Sequence, residues 1–267
     1  MSELTKRALT GAVYVALTLG AAFIGQRTTL LLFLPVCAMG ALELHRLYWP
    51  QGRGPAKGWS VIGAVLLYVV IGTTAFVPEL GLIHVAGAAT MWVLLVITST
   101  LLRNTEGPAA ELAGRLLGLV YVALPFALVP HLLTFGPEVF VGFMLLLWTT
   151  DTGAYLVGRT IGRTLLMPRV SPKKTVEGLA GGVVLALVVA CVLHHYWPVL
   201  SLVQWLVCAV VVAITSTIGD LIESAFKRAA GVKDSGNVLP GHGGILDRFD
   251  GFLLAAPAML LAVLLLA

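Results

Sequence analysis

Long apolar segments recur along the whole chain, and they limit its possible folds more than any other feature. Each is close to the 20 or so residues that an α-helix needs to cross a bilayer. Of the 267 residues, 58% are hydrophobic and 11% are charged, whereas soluble domains carry roughly 25% charged residues. Uncharged segments of this length also exclude the alternating strands of an outer-membrane barrel. The sequence therefore predicts an all-α integral membrane protein.

Nine apolar segments can be distinguished, and each is predicted to form one transmembrane helix. They lie near residues 8–25, 28–48, 59–77, 80–102, 112–134, 138–158, 177–197, 200–222 and 246–267. Only Val77-Pro78-Glu79 divides the third segment from the fourth. We divide the chain into N-terminal helices over 1–135, a scaffold with lipid access, and C-terminal helices over 136–267 that carry a cytoplasm-facing site.

The basic residues support this count. With the N-terminus in the cytoplasm, 16 of the 17 Lys and Arg residues fall in cytoplasmic segments, and Arg27 lies on the opposite side. Such a bias is what the positive-inside rule requires, and merging the third and fourth segments would remove it. We therefore predict nine spans, with the N-terminus cytoplasmic and the C-terminus on the opposite side. Short loops and a retained first span favour the inner membrane of a bacterium.

Acidic residues near the predicted cytoplasmic ends of the helices are the main candidates for chemistry, because charges beside spanning helices usually mark function. In the segment Ile214–Arg228, polar side chains recur at steps of three or four and so share one helical face. These are Ser216, Asp220, Glu223, Ser224 and Lys227. On the last helix, Asp247 and Asp250 form a second pair at the same spacing.

Oxygen ligands from two helices suit Mg²⁺. A softer metal is disfavoured, because His242 is the only histidine near these carboxylates and no cysteine accompanies it. The alternative is structural: the acids could form buried ion pairs with Lys227, Arg228 or Arg248. Four acids beside glycines and a basic loop favour the functional interpretation.

Two further segments are candidates for phosphate binding. In RVSPKKTVEG (169–178), a turn leads into a predicted helix start, where Lys173 and Lys174 and the helix dipole favour an anion. The segment 229–244 is rich in glycine, which lets backbone approach a ligand closely. Asp151 lies within the sixth span and indicates a polar cavity. For Glu43, at the end of the second span, local pairing with its neighbours is expected.

At this point the sequence resembles a known family. The residues that carry the resemblance are Ser224-Ala-Phe-Lys227-Arg228, then after four residues Lys233-Asp234-x-Gly236, and finally Leu239-Pro240-Gly241-His242-Gly243-Gly244-Ile245-Leu246-Asp247-Arg248-Phe249-Asp250. This pattern is similar to that of phosphatidate cytidylyltransferases, also called CDP-diacylglycerol synthases. SPKKTVEG and the Asp151 segment also resemble features of that family, whereas the N-terminal half carries no distinctive motif.

The resemblance implies that CTP and phosphatidic acid give CDP-diacylglycerol and pyrophosphate, for phospholipid biosynthesis. It implies Mg²⁺ at Asp220 and Asp247, with K⁺ as a candidate second cation. It also implies a homodimer in the lipid bilayer, with its site at the cytoplasmic face and without a nucleic-acid partner.

On this basis each candidate residue receives a predicted role. The predicted catalytic residues are Asp220, Asp247, Lys227 and Arg248. The predicted metal ligands are Asp220, Asp247, Asp250 and Glu223. The predicted substrate-binding residues are Ser171, Lys173, Lys174, Thr175, Ser224, Arg228, Lys233, His242, Gly243, Gly244 and Asp151. Gly243 and Gly244 are expected to leave the start of the last helix open to an anion.

Three other classes of protein could carry intramembrane carboxylates. A cation- or proton-coupled transporter would show repeats and polar residues reaching both faces, whereas here they gather at one. A second alternative is another lipid-headgroup enzyme, such as a CDP-alcohol phosphotransferase or a CTP-dependent lipid-alcohol kinase. A CDP-alcohol phosphotransferase needs a D-G-x-x-A-R pattern, but Asp250-Gly251 continues as Phe-Leu-Leu. A structural scaffold would not need an acidic pair flanked by glycines.

Overall fold

The structure is a computed structural model that describes residues 3–49, 57–77, 79–102, 107–236, 238 and 243–266. Within these ranges the chain forms nine helices and one small β-hairpin. The helices are α1 (Glu3–Ile24), α2 (Gln26–Tyr48), α3 (Lys57–Thr73), α4 (Leu82–Leu102), α5 (Pro108–Phe135), α6 (Pro137–Ile161), α7 (Val176–Tyr196), α8 (Leu202–Ala229) and α9 (Leu246–Leu266). The strands are β1 (Leu165–Met167) and β2 (Ser171–Thr175), between α6 and α7.

The predicted membrane architecture is confirmed. Seven of the nine helices in the described ranges are long and apolar enough to cross a membrane. The other two, α1 and α3, contribute the shorter apolar stretches Gly11–Ile24 and Gly58–Thr73. Because α3 ends at Thr73 and α4 begins at Leu82, the third and fourth predicted segments are separate helices, as expected. The orientation of the termini stays a prediction.

The β-hairpin is the feature that the sequence analysis missed. We predicted a turn at Ser171–Thr175, but these residues form β2, which pairs antiparallel with β1. The register joins Leu165 to Thr175 and Met167 to Ser171. A strand of three residues carries too little periodicity to be recognised, and Leu165–Met167 resembles the apolar end of the preceding helix.

The chain divides into two compact units, of which the first is Met1–His131 with Val232–Arg248. Its core is packed between α2, α3 and α5. The Tyr68 hydroxyl donates a hydrogen bond to Leu30 O at 2.5 Å. The ring of Phe33 stacks on that of Phe126 with centroids 5.5 Å apart. These contacts bury two aromatic side chains of α2 and α3 completely and leave no polar atom of Tyr68 without a partner.

The second unit is Leu132–Gly231 with Phe249–Ala267. Trp205 is fully buried there, and its indole N–H donates to Trp197 O at 3.3 Å. The rings of Phe143 and Phe252 lie 5.3 Å apart and bring α6 against α9. This unit also contains the hairpin, whose basic strand Ser171–Thr175 packs against α6 and α7.

Helices α6 and α7 approach so closely that only glycine fits at their contact. A Cβ on Gly153 would lie 3.0 Å from Gly181 O, and one on Gly182 would lie 2.9 Å from Thr150 O. Small residues at such contacts let membrane helices associate through their backbones.

We expect Gly182→Ala to destabilise the protein by about 1–3 kcal/mol, because a backbone carbonyl cannot move away from the added methyl group as a side chain would. Gly20→Ala is the matched control, since no atom lies within 4 Å of a Cβ there and alanine favours the helix. The thermal unfolding midpoint in detergent measures both. Equal midpoints for the two variants would contradict the close α6–α7 contact.

Candidate functional site

The hairpin holds Lys174 against Asp220 of α8. At the end of β2, the Thr175 hydroxyl accepts a hydrogen bond from Gly178 N at 3.1 Å and so caps α7. One residue earlier, Lys174 Nζ lies 2.5 Å from Asp220 Oδ2. The two side chains are 26% and 33% exposed, so the ion pair is partly solvated. A predicted phosphate-binding lysine and a predicted metal ligand are thus in direct contact.

Asp151 and Asp250 belong to the same electrostatic environment. Each interacts with the charges of Asp220 and Lys174, and the two also interact with each other. We call Asp151, Asp220, Asp250 and Lys174 the aspartate cluster. When ionised, three carboxylates outweigh one ammonium group, so the cluster is net negative and attracts cations.

Two glycines bring the helices of this cluster together. A Cβ on Gly219 would lie 2.5 Å from Asp250 O, and one on Gly251 would lie 3.1 Å from Ser216 Cβ. The backbones of α8 and α9 therefore touch at this level. Asp220 and Asp250 each neighbour one of these glycines in sequence, so the close approach is what lets their carboxylates interact.

The predicted polar face of α8 forms two separate interactions. Ser224 Oγ donates to Asp220 Oδ1 at 3.2 Å and helps to orient that carboxylate. One turn along the helix, the fully buried Glu223 carboxylate forms an ion pair with Lys227. The side chain of Lys227 is only 13% exposed. Two residues that we predicted for different roles, metal ligand and catalytic cation, therefore neutralise each other in this structure.

The remaining predicted substrate-binding residues vary in exposure. Ser171 is half-buried and Thr175 is buried, whereas the exposed basic residues are Lys173, Arg228, Lys233 and Arg248. His242 lies outside the described residues. The predicted phosphate-binding role of these exposed residues stays a prediction.

In the first unit, Asp247 is held by backbone and side-chain donors. Its Oδ2 accepts hydrogen bonds from Ser235 N at 2.9 Å and Gly244 N at 2.7 Å. The Ser235 hydroxyl also lies 3.0 Å from the same oxygen. Several donors on one carboxylate oxygen fix its direction and stabilise its charged form.

The Ser235 hydroxyl also reaches a second carboxylate, Glu43 of α2. Ser235 Oγ lies 2.9 Å from Glu43 Oε2. Glu43 accepts two more hydrogen bonds, from Ile245 N and Leu246 N, both at 2.9 Å. We call Glu43, Ser235 and Asp247 the carboxylate network.

Two expectations about this region were wrong. Glu43 does not pair locally: its partners are 192 to 203 residues away in sequence. In addition, the start of α9 is not open to an anion at Ile245 and Leu246, because the Glu43 carboxylate already occupies their N–H groups. A protein carboxylate satisfies the helix start as a ligand would. The signal that could have revealed Glu43 was a carboxylate inside an apolar span.

Magnesium is compatible with this set of donors. Within the described ranges, no three His, Cys, Asp or Glu residues are arranged to hold a metal by themselves. Mg²⁺ does not need such a cage, because it is usually bound through one or two carboxylates, with water and substrate phosphates completing the shell. The aspartate cluster and Asp247 offer hard oxygen donors of this kind.

Comparison with known proteins gives a consistent result over the whole chain. The profile of the cytidylyltransferase family matches residues 5–266. A phosphatidate cytidylyltransferase of Bacillus subtilis is 34% identical over 262 residues, which are 96% of each chain. One from Staphylococcus haemolyticus is 32% identical over 86% of this chain and 93% of its own. One from Staphylococcus saprophyticus is 38% identical over 62% of this chain and 64% of its own.

The buried Glu223–Lys227 pair can be tested by a double-mutant cycle. Lys227→Met leaves a buried carboxylate without its cation, and we expect a loss of about 3–5 kcal/mol. Adding Glu223→Gln should recover most of that loss, because the unpaired charge is gone. Lys173→Met, at an exposed lysine, should stay within about 0.5 kcal/mol of wild type. Thermal unfolding in detergent measures wild type, Lys227→Met, Glu223→Gln, the double variant and the Lys173→Met control, and a double variant no more stable than Lys227→Met would contradict the pairing.

Proposed function

Because the chain belongs to the cytidylyltransferase family, we propose that it joins CTP and phosphatidic acid to give CDP-diacylglycerol and pyrophosphate. This is the reaction of a phosphatidate cytidylyltransferase. The observation that carries the proposal is the contact of the hairpin lysine Lys174 with Asp220 of α8, together with the electrostatic interaction of both residues with Asp151 of α6 and Asp250 of α9. A transfer between two phosphate-bearing substrates requires this mixture of metal-binding oxygens and cations.

The chemistry needs little from the protein except position and charge. A phosphate oxygen of the lipid attacks the α-phosphorus of CTP, and the bond from that phosphorus to the oxygen bridging the α- and β-phosphates breaks. Pyrophosphate leaves with the bond's electron pair. The attacking phosphate monoester is already an anion at neutral pH, so no strong general base is required. The difficulty is to bring two anions together and to stabilise the charge on the leaving group.

Asp220 is the proposed centre of the cation site. Its carboxylate is oriented by Ser224 and paired with Lys174, and Asp250 supplies a second carboxylate in the same cluster. Asp247 is the other Mg²⁺ ligand, beside Asp220, that the family resemblance implies. Bound Mg²⁺ would neutralise phosphate charge at this centre, and K⁺ is proposed as a second cation. Glu223 lies against Lys227, and we propose that it acts through that lysine.

The basic residues are proposed to hold the phosphates. Lys174 is partly exposed and can exchange Asp220 for a phosphate oxygen when a cation binds to the aspartate. Lys173, Arg228, Lys233 and Arg248 are exposed and suit contacts to the triphosphate or the lipid headgroup. Ser171, Thr175, His242, Gly243, Gly244 and Asp151 remain proposed contributors to substrate binding, together with Ser224.

The setting of the reaction is a membrane. A lipid headgroup can reach a polar site at the membrane surface while its acyl chains stay in the bilayer. We propose the cytoplasmic membrane, with the site facing the cytoplasm, because the positive-inside bias of the sequence puts the basic loops there. The bacterial relatives support this choice. A homodimer is proposed from the family resemblance.

The proposal predicts pyrophosphate release from CTP that requires both phosphatidic acid and Mg²⁺. In purified protein, Asp220→Asn and Asp247→Asn should each lower kcat by about 100-fold or more, since both remove charge from the proposed cation site. Glu138→Gln is the control, because Glu138 begins the helix that carries Asp151 but lies more than three turns from it along the axis.

Each outcome of this assay is informative. The control should retain wild-type activity while both aspartate variants lose theirs. Full activity in Asp220→Asn would remove the aspartate cluster from the mechanism and leave the reaction unchanged. No lipid-dependent turnover by folded wild-type protein, with Mg²⁺ and K⁺ present, would contradict the proposed function itself.

A further inference from the structure

We propose that Glu43 and Ser235 are positioning residues that fix the Asp247 carboxylate for cation binding. This inference rests on the proposed function, which makes Asp247 a metal ligand. It assigns a role in the site to α2, a helix from the half of the chain that carries no family motif.

Glu43 is buried so completely that its hydrogen bonds must come from the protein. Its relative exposure is 1%. Ile245 N donates to Oε1, and Leu246 N and Ser235 Oγ donate to Oε2, each at 2.9 Å. Because backbone N–H groups at a helix start carry partial positive charge, they stabilise the carboxylate as an anion. Glu43 therefore ties the first turn of α9 to α2.

Ser235 transmits this restraint to Asp247. Its hydroxyl lies 2.9 Å from Glu43 Oε2 and 3.0 Å from Asp247 Oδ2. A hydroxyl has one hydrogen, so it can donate to only one of these oxygens at a time. Two carboxylate oxygens thus share one donor, although the backbone N–H groups of residues 235 and 244 also donate to Asp247 Oδ2 and that of residue 246 donates to Glu43 Oε2. The concentration of negative charge favours a cation on Asp247.

Three glycines allow the backbone to lie close to the two carboxylates. A Cβ on Gly236 would lie 2.6 Å from Glu43 Oε1, and one on Gly244 would lie 2.5 Å from Glu43 Oε2. Gly243 has φ of +82°, and its Cβ would lie 2.6 Å from Asp247 Oδ2. Any larger residue would displace a carboxylate, and at Gly243 it would also strain the backbone. Gly236, Gly243 and Gly244 therefore lie directly against the carboxylates of Glu43 and Asp247.

Some residues hydrogen-bond to a metal ligand and orient it. Mutating such a residue commonly lowers the affinity for the metal about 10- to 100-fold. Glu43 and Ser235 have that relation to Asp247. Glu43→Gln replaces one acceptor oxygen with an NH₂ group that faces N–H donors, and so releases part of the first turn of α9. Ser235→Ala removes only the shared hydroxyl and keeps the Ser235 N–H bond to Asp247. We expect both changes to weaken cation binding.

The experiment measures cation binding directly on the full-length protein in detergent. Mn²⁺ replaces Mg²⁺, because both prefer carboxylate and water ligands and free Mn²⁺ is quantified by electron paramagnetic resonance. The titration contains CTP but no lipid, so no turnover is needed. The half-saturating Mn²⁺ concentration should rise about tenfold or more in Glu43→Gln and in Ser235→Ala.

The matched control is Glu111→Gln. Glu111 is also a buried carboxylate of the first unit, 5% exposed, and it pairs with Arg115 at 2.5 Å. We expect this variant to lower the unfolding midpoint but to bind Mn²⁺ as wild type does. A role for Glu43 that is only structural would make the two glutamate variants behave alike.

The outcomes separate this inference from the proposed function. Wild-type affinity for Mn²⁺ in Ser235→Ala, or an equal loss in Glu111→Gln, would overturn the positioning role, as would wild-type protein that binds no Mn²⁺. If Glu43→Gln does not fold, the Mn²⁺ affinity of Ser235→Ala tests the positioning role, because this variant loses only a single oxygen. Turnover of CTP with phosphatidic acid by wild-type protein tests the proposed function separately. Wild-type protein that binds Mn²⁺ but shows no such turnover would contradict the proposed function, whereas the Mn²⁺ affinities of the variants test the positioning role.

Discussion

A carboxylate inside an apolar helix bundle must find its donors or its counter-charge within the protein, because lipid supplies neither. Each buried acid described above meets this requirement in a particular way. Glu43 is bonded to backbone N–H groups at a helix start, Glu111 pairs with Arg115, and Glu223 pairs with Lys227. The contacts are specific in distance and direction, so they determine which turn of one helix faces which loop. Hydrophobic packing alone would allow neighbouring helices to slide.

Glycines provide the space that these polar contacts need. Between α8 and α9, Gly219 and Gly251 let two backbones meet, and the adjacent aspartates come close enough to interact. In the loop before α9, Gly236 and Gly244 leave room for the Glu43 carboxylate. In both regions, the absence of a side chain lets an oxygen atom lie directly against the backbone: Asp250 O at Gly219, and the Glu43 carboxylate at Gly236 and Gly244.

The proposed chemistry uses the same balance of charge. The ionised aspartate cluster is net negative by itself, so two anionic substrates could meet there only together with a bound cation. In the aspartate cluster, Lys174 contacts Asp220 and so keeps the carboxylate partly neutralised in the absence of substrates. A cation bound to the aspartate would release the lysine to contact a phosphate, as proposed above. Exchange of partners between fixed charges requires little reorganisation of the helices, which suits electrostatic catalysis.

Local patterns were sufficient to predict the helices and the kind of protein. Apolar length defined the nine helices, and the motif that ends at Asp250 placed the chain in its family, because both signals lie in consecutive residues. The ion pair between Lys174 and Asp220 was predicted only as two separate roles, and the hairpin that makes it was missed. Glu43 was misjudged because its partners lie 192 to 203 residues away. Sequence spacing carries no record of such contacts: they exist only once the helices have packed, since packing determines which buried carboxylate meets which donor.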